Sequence, residues 1–180
     1  MSEISRPPQA TQITDSQRAA TSRELAGYRG AIACSAAGIS YRQLDYWART
    51  GLVEPSIRTA SGSGTSRLYS FRDILVLKIV KRLLDTGISL QNVRSAVDHL
   101  RARGTEDLAT LTLMSDGASI YECASADEII DLLQGGQGVF GIAVGKVWHE
   151  VEGSLASLQG EMNGQAVTAS GVESNDELTL

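Results

Sequence analysis

Apolar residues recur with a helical or strand-like period over two stretches of the chain, 28–103 and 105–158, with Gly104 between them. In the first stretch the short apolar run AIACSAA ends at Gly38, a residue suited to the left-handed conformation that closes helices. Ser40 and Gln43 follow with the spacing of a capping box and predict a second helix over 40–50. Along it Leu44, Trp47 and Ala48 fall on one face while Arg42, Asp45 and Arg49 share another, so one side packs and the other meets something polar. A helix, a glycine-containing turn and a second helix with a polar outer face form a helix-turn-helix, whose second helix enters the DNA major groove.

Past Gly51, Leu52 and Val53 lead through Pro55 to Ile57 and Arg58, and after TASGSGTS the chain resumes at Arg67, Leu68 and Tyr69. This predicts a hairpin with a flexible tip. Ser70 and Asp73 open a third helix that is apolar along one broad side and carries Lys78, Lys81, Arg82 and Asp85 on the other; Gly87 ends it. Ser89 caps a fourth, in which Leu90, Val93, Val97 and Leu100 repeat at spacings of three and four until Gly104 closes it.

The second stretch changes period. ATLTLMSD-G-ASIYECA predicts a β-hairpin with Leu111, Leu113 and Ile120 alternating and Asp116-Gly117 as a two-residue turn. Ser125 and Glu128 form another capping box, opening a helix with Ile129, Ile130, Leu132 and Leu133. After GGQG, a helix terminator and turn, VFGIAV is a candidate buried strand, and Val147, Trp148, Val151, Leu155 and Leu158 return to helical spacing. The expected fold is mainly α with small β: a winged helix-turn-helix domain over 28–103 and a small α+β domain over 105–158. The flanks, 1–27 and 159–180, hold too few large apolar residues to offset the entropy of ordering and are expected to be disordered.

Composition adds one fact that the average hides. Through Arg103 there are 15 Lys/Arg against 8 Asp/Glu, a net +7, whereas from Gly104 onward Lys146 faces 13 acids, a net −12. A basic half joined to an acidic half suggests that the first meets a polyanion and the second does something else. Hydrophobic content of 42% with no run near ~18–20 apolar residues excludes a spanning helix. MSEISRPPQATQ lacks the basic cluster and apolar run of a secretory signal, so the expected compartment is the cytoplasm, on the nucleoid.

The run GISYRQLDYWARTGLVEP, followed by RLYSFRDI and LLDTGISLQNVR, resembles the MerR family of bacterial winged-helix regulators in order as well as in residues. The resemblance implies a sequence-specific DNA-binding transcriptional regulator that reads double-stranded DNA at promoters as a homodimer. It carries the family's DNA-contacting positions onto Ser40, Tyr41, Arg42, Tyr46, Arg58 and Arg67, and places Leu44 and Trp47 on the packed side; Gln43 and Arg49 of the same helix complete the set of candidate DNA-binding residues. Two residues depart from the pattern: Asp45 where the family usually has arginine, and Ala48 where it usually has an acid. Asp45 either pairs with a neighbour such as Arg42 or Arg49 or accepts from a cytosine amino group. The wing's tip, ending in Thr65, Ser66 and Arg67, carries an extra Gly-Ser stretch.

The family's long dimerisation helix is missing directly after the winged helix, and the α+β block that replaces it is similar to that of a branch of actinobacterial members. The stripe from Trp148 to Leu158, or the VFGIAV edge, is therefore the expected dimer seam, unless the stripe completes the domain's own core. Two further readings stay open: a DNA-architectural or excision-type recombination factor, and a protein that docks on RNA polymerase with DNA contact secondary.

Other chemistry finds little support. Cys34 and Cys123 are isolated and read as reduced packing residues, so no metal site is expected, and no other cofactor either. His99 and His149 read as surface or cap residues. GGQG lacks the Lys-Ser/Thr of a phosphate-binding loop, and no nucleophile with a spaced base points to an enzyme.

Overall fold

The computed structural model describes residues 26–59, 66–136 and 140–169. The expectations for 1–25, for the wing tip over 60–65 and for 170–180 lie outside these residues. The chain opens with a two-residue strand, β1 (Tyr28–Arg29), and continues into α1 (Gly30–Ala37) and α2 (Tyr41–Arg49). Gly38 has φ 72 and donates its N–H to the Cys34 carbonyl at 2.9 Å, closing α1 in the left-handed conformation that only glycine adopts at low cost. Ser40 and Gln43 form the reciprocal box that starts α2: Gln43 N–H donates to Ser40 Oγ at 3.2 Å, and Ser40 N–H to Gln43 Oε1 at 2.9 Å. Leu44, Trp47 and Ala48 are buried, as their spacing predicts.

Among the described residues one bridge joins the two sides of the wing. Arg58 and Leu68 exchange one antiparallel pair of backbone bonds, and β2 (Leu68–Tyr69) finds its other partner in β1, Tyr28 opposite Tyr69 and Arg29 opposite Leu68. β1 went unpredicted because two residues paired across forty positions leave no local period. Gly27 packs against Ile57 and Leu68, and Ala26 against the core, so the packed chain begins two residues before 28.

α3 (Phe71–Asp85) starts with the second reciprocal box, Ser70 with Asp73. The Asp73 carboxylate also accepts from Ser56 N–H and Oγ, both at 2.8 Å, which ties the base of the wing to the start of α3. α4 (Leu90–Ala102) does not close on Gly104, which has φ −69 and instead precedes a six-residue helix, α5 (Thr105–Thr110), that carries too few residues to show a period. The last carbonyls of α4 are met by Arg72, whose guanidinium donates to Leu100 at 2.8 Å, to Arg101 at 3.2 Å and to Arg103.

Beyond it β3 (Thr112–Ser115), β4 (Ile120–Cys123) and β5 (Phe140–Ala143) form an antiparallel sheet in the order β4-β3-β5. Ser115 pairs with Ile120, so the turn has four residues and not two: the Asp116 carboxylate accepts from Ala118 N–H at 2.9 Å and Ser119 N–H at 2.6 Å, a side-chain bond that competes with the tight turn. α6 (Ala126–Gln134) is capped by Ser125, but Glu128 reaches Ala124 N–H and not Ser125, so the box is not reciprocal. None of its residues is buried, against the packing that its four large aliphatic residues predict. β5 is an edge strand with Ile142 buried, not a strand covered on both faces.

The largest differences concern the last element, α7 (Val144–Ala169). The chain does contain a long helix of 26 residues, placed after the sheet and not directly after α4, and it runs through 159–169, where a disordered tail is expected. Its stripe is spoken for: Val147 and Val151 are fully buried, Leu155 is buried, and Trp148 and Leu158 pack against the same core. α7 lies on α1 and α3, with the Trp148 and Phe71 rings 4.6 Å apart between centroids. The stripe thus completes the chain's own core and is not free to be the dimer seam. Gly145 lets α7 pack closely on α5 as well, because a Cβ there would collide with the Ala109 carbonyl oxygen. One contiguous core runs from Tyr28 to Leu155, so the boundary at Gly104 separates segments of sequence, not independent cores.

Candidate nucleic-acid interface

The polar face of α2 and the wing meet along a groove of about 540 Å³ lined by Arg29, Tyr41, Asp45, Ser66, Arg67 and Tyr69. The helix is held from behind. Leu44 and Trp47 anchor it in the core, and Arg94 of α4 donates to the Thr50 carbonyl at 3.0 Å, satisfying one of the acceptors left at the helix C-terminus.

The sequence-predicted positions divide by what already occupies them. Ser40 and Gln43 are engaged with each other at the cap, so their side chains fix where α2 begins. Tyr41 is 63% exposed, its hydroxyl lying over Gly30, and Tyr46 is 47% exposed one turn further along. Arg42 is exposed and makes no hydrogen bond or ion pair among the described residues. Arg58 is also exposed, and its Nε donates to the Ser66 carbonyl at 3.1 Å, pinning it to the root of the wing.

Arg49 and Arg67 are brought together by the residue that breaks the family pattern. Asp45 accepts from Arg67 Nη1 through Oδ1 at 2.8 Å and from Arg49 Nε through Oδ2 at 2.8 Å. The open question about its partner therefore resolves to Arg49 and Arg67 and not Arg42, and the wing arginine lies 22 residues away where local spacing cannot show it. The Arg67 guanidinium, helped by Arg49, holds the Asp45 carboxyl below the ordinary carboxylate range. Burial pushes the nearby Tyr69 phenol up. Sequence reasoning missed Arg29, which is exposed beside this groove only because β1 pairs with β2.

Among the described residues no group of three or more His, Cys, Asp or Glu is placed to hold a metal ion. Cys34 and Cys123 are both buried, and burial raises both thiols. No helix among the described residues is long and apolar enough to cross a membrane.

A helix-turn-helix beside the root of a wing, backed by two further helices, defines a winged helix-turn-helix protein. Residues 28–100 match the MerR HTH family regulatory protein model, and this part of the chain is a MerR-type helix-turn-helix domain. It is 67% identical over 148 residues to an uncharacterized HTH-type transcriptional regulator of Mycobacterium tuberculosis, a match covering 81% of this chain and 66% of that protein. An uncharacterized HTH-type transcriptional regulator of Mycobacterium bovis matches to the same extent. A heavy metal-dependent transcription regulator of Rhizobium meliloti is 33% identical over 99 residues, 54% of this chain and 65% of that one. The chain thus spans 66% of the length of its mycobacterial relatives.

Proposed function

We propose that this chain is a sequence-specific DNA-binding transcriptional regulator of the MerR type, reading the major groove with α2 and anchoring on phosphates with the wing. The observation that carries this reading is the exposed Arg42 at the start of α2, the helix that, with Arg29 and Arg67, lines the groove against the wing. The N-terminal end of a recognition helix faces base edges, and the flanking wing faces the backbone. The relatives' names support a regulatory, non-enzymatic role. The protein acts in the cytoplasm on the nucleoid, as a homodimer on two half-sites, because one winged helix buries little DNA-facing surface.

Site selection from a random duplex pool, followed by binding of variants, tests this reading. Arg42→Ala relaxes the selected motif, since a good bidentate contact to a base is worth ~1–3 kcal/mol of discrimination. Arg67→Ala weakens binding to selected and unselected DNA, the selected duplex more, and its salt slope falls by about one counterion unit. Recovery of the unaltered motif by Arg42→Ala, or no selected motif with the wild-type chain, refutes the proposed reading.

A further inference from the structure

Among the described residues, the Asp45 carboxylate is the one acidic group set between two arginines on the face proposed to meet DNA. Both of its oxygens are engaged, one by Arg67 of the wing and one by Arg49 of α2, each at 2.8 Å. The pair joins the two elements that a DNA reader must hold at a fixed spacing. We infer that Asp45 is a specificity-determining residue: it clamps the wing to the recognition helix and withholds the charge of Arg49 and Arg67 from DNA that does not fit. The inference rests on the DNA-reading proposal above.

The physical case has two parts. Asp45, Arg49 and Arg67 together carry net +1, where the two arginines alone would carry +2. Binding to unselected DNA depends chiefly on such charge, because it comes from phosphate contacts that release counterions. A phosphate oxygen seated on either guanidinium would also lie within ~6 Å of the Asp45 carboxylate, close enough for like-charge repulsion at a solvated surface to weaken that contact about three- to tenfold. The Asp45 side chain is 43% exposed, so water and salt moderate this repulsion without abolishing it.

The clamp also limits where the arginines can point. Arg67 is 28% exposed and Arg49 66% exposed, so each keeps outward donors while Asp45 fixes the direction of the fork. DNA whose groove width and phosphate positions match that direction gains both contacts with the carboxylate still in place. DNA that does not match must pull an arginine off the carboxylate first. Removing Asp45 therefore strengthens binding to unselected duplexes more than to a selected one.

The test measures the full chain by fluorescence anisotropy, across a range of salt concentrations, against a duplex selected by the wild-type protein and a scrambled duplex of the same length. Asp45→Asn should bind the scrambled duplex three- to tenfold more tightly, steepen its salt slope by about one unit, and lower the ratio of selected to scrambled affinity. Asp45→Glu, which keeps the carboxylate, should restore most of that ratio. In the Arg67→Ala background the effect of Asp45→Asn should shrink, since one of the two arginines it releases is gone. If Asp45→Asn weakens both duplexes equally, or leaves both unchanged, the inference is overturned and Asp45 is a structural ion pair. A wild-type chain that selects no site overturns the DNA-reading proposal instead, and this inference with it.

Discussion

Leu155→Ala tests whether the apolar stripe of α7 belongs to the chain's own core. Leu155 is 4% exposed and lies with Val147 and Val151 on the face of α7 that packs on α1 and α3. Truncating a buried leucine to alanine costs ~2–5 kcal/mol, depending on how far the site collapses or admits water. Leu155 borders an open groove of about 480 Å³ shared with Tyr28 and Phe71, so the space left joins that groove and the cost falls near the lower end, ~2–3 kcal/mol. For a chain of this size the melting temperature falls by roughly 5–10 °C. Urea unfolding of both proteins, followed by tryptophan fluorescence at two concentrations a hundredfold apart, separates core from seam. A core residue costs the same at both. A dimer seam links unfolding to dissociation, which makes stability depend on concentration by about 2.7 kcal/mol over that range, and the penalty then disappears where both proteins are monomers. A Leu155→Ala protein as stable as the wild type at the low concentration refutes the assignment of this stripe to the monomer's core.

Three other outcomes follow from the same structure. Ser40→Ala removes the acceptor for Gln43 N–H and should destabilise the chain by ~1 kcal/mol in urea, whereas an unchanged midpoint shows the cap is dispensable. Glu150 has its carboxyl held below the ordinary range, chiefly by Arg82 and then by Lys78. That stabilisation is complete above the unfolded carboxyl's ~4.3 and is lost as pH falls through the lower folded value, so urea midpoints of wild type and Glu150→Gln should converge on acidification; a constant difference contradicts the linkage. A chain ending at Arg103 lacks α7 and uncovers Phe71 and the faces of α1 and α3, so it should melt without cooperativity or aggregate; a sharp, monomeric melt shows that the winged helix is an independent domain.

Helix starts were the most legible part of this sequence because the box at Ser40 and Gln43, and again at Ser70 and Asp73, is a local device completed within four residues. The turn at Asp116 was read two residues short because glycine there suggests a tight hairpin, while the aspartate side chain binds two N–H groups and stretches it. The stripe on α7 was visible, but an apolar face does not say whether its partner lies in the same chain or another. The length of α7 was not visible: its apolar residues thin out after Leu158 although the backbone stays helical to Ala169. At the candidate interface the individual arginines could be named from the recognition helix and wing. Their pairing through Asp45 could not, because it joins segments 22 residues apart.

The split of charge along the chain takes on a different meaning once the two halves share a core. Arg82 and Lys78 of α3 meet Glu150 of α7 at 2.6 and 3.6 Å, and Arg103 meets Glu122 of β4 at 2.6 Å, so part of the basic excess faces the acidic half within the molecule. Arg82, Arg103 and Glu150 are partly exposed, whereas Lys78 and Glu122 are mostly buried, and the exposed parts of these pairs contribute modestly. Their larger effect is on which cations are left for a polyanion. Among the described residues, the bases not met by the acidic half include Arg29, Arg42, Arg49, Arg58 and Arg67, which lie on α2, the wing and the strand beside them. The acidic half supplies α7 as the support behind the helix-turn-helix and pairs with Lys78, Arg82 and Arg103. In the proposed DNA-reading role, the cations left for non-specific attraction include those on the side that carries the recognition helix. Asp45 repeats the pairing on a smaller scale within that side, holding two of the remaining arginines to a single geometry.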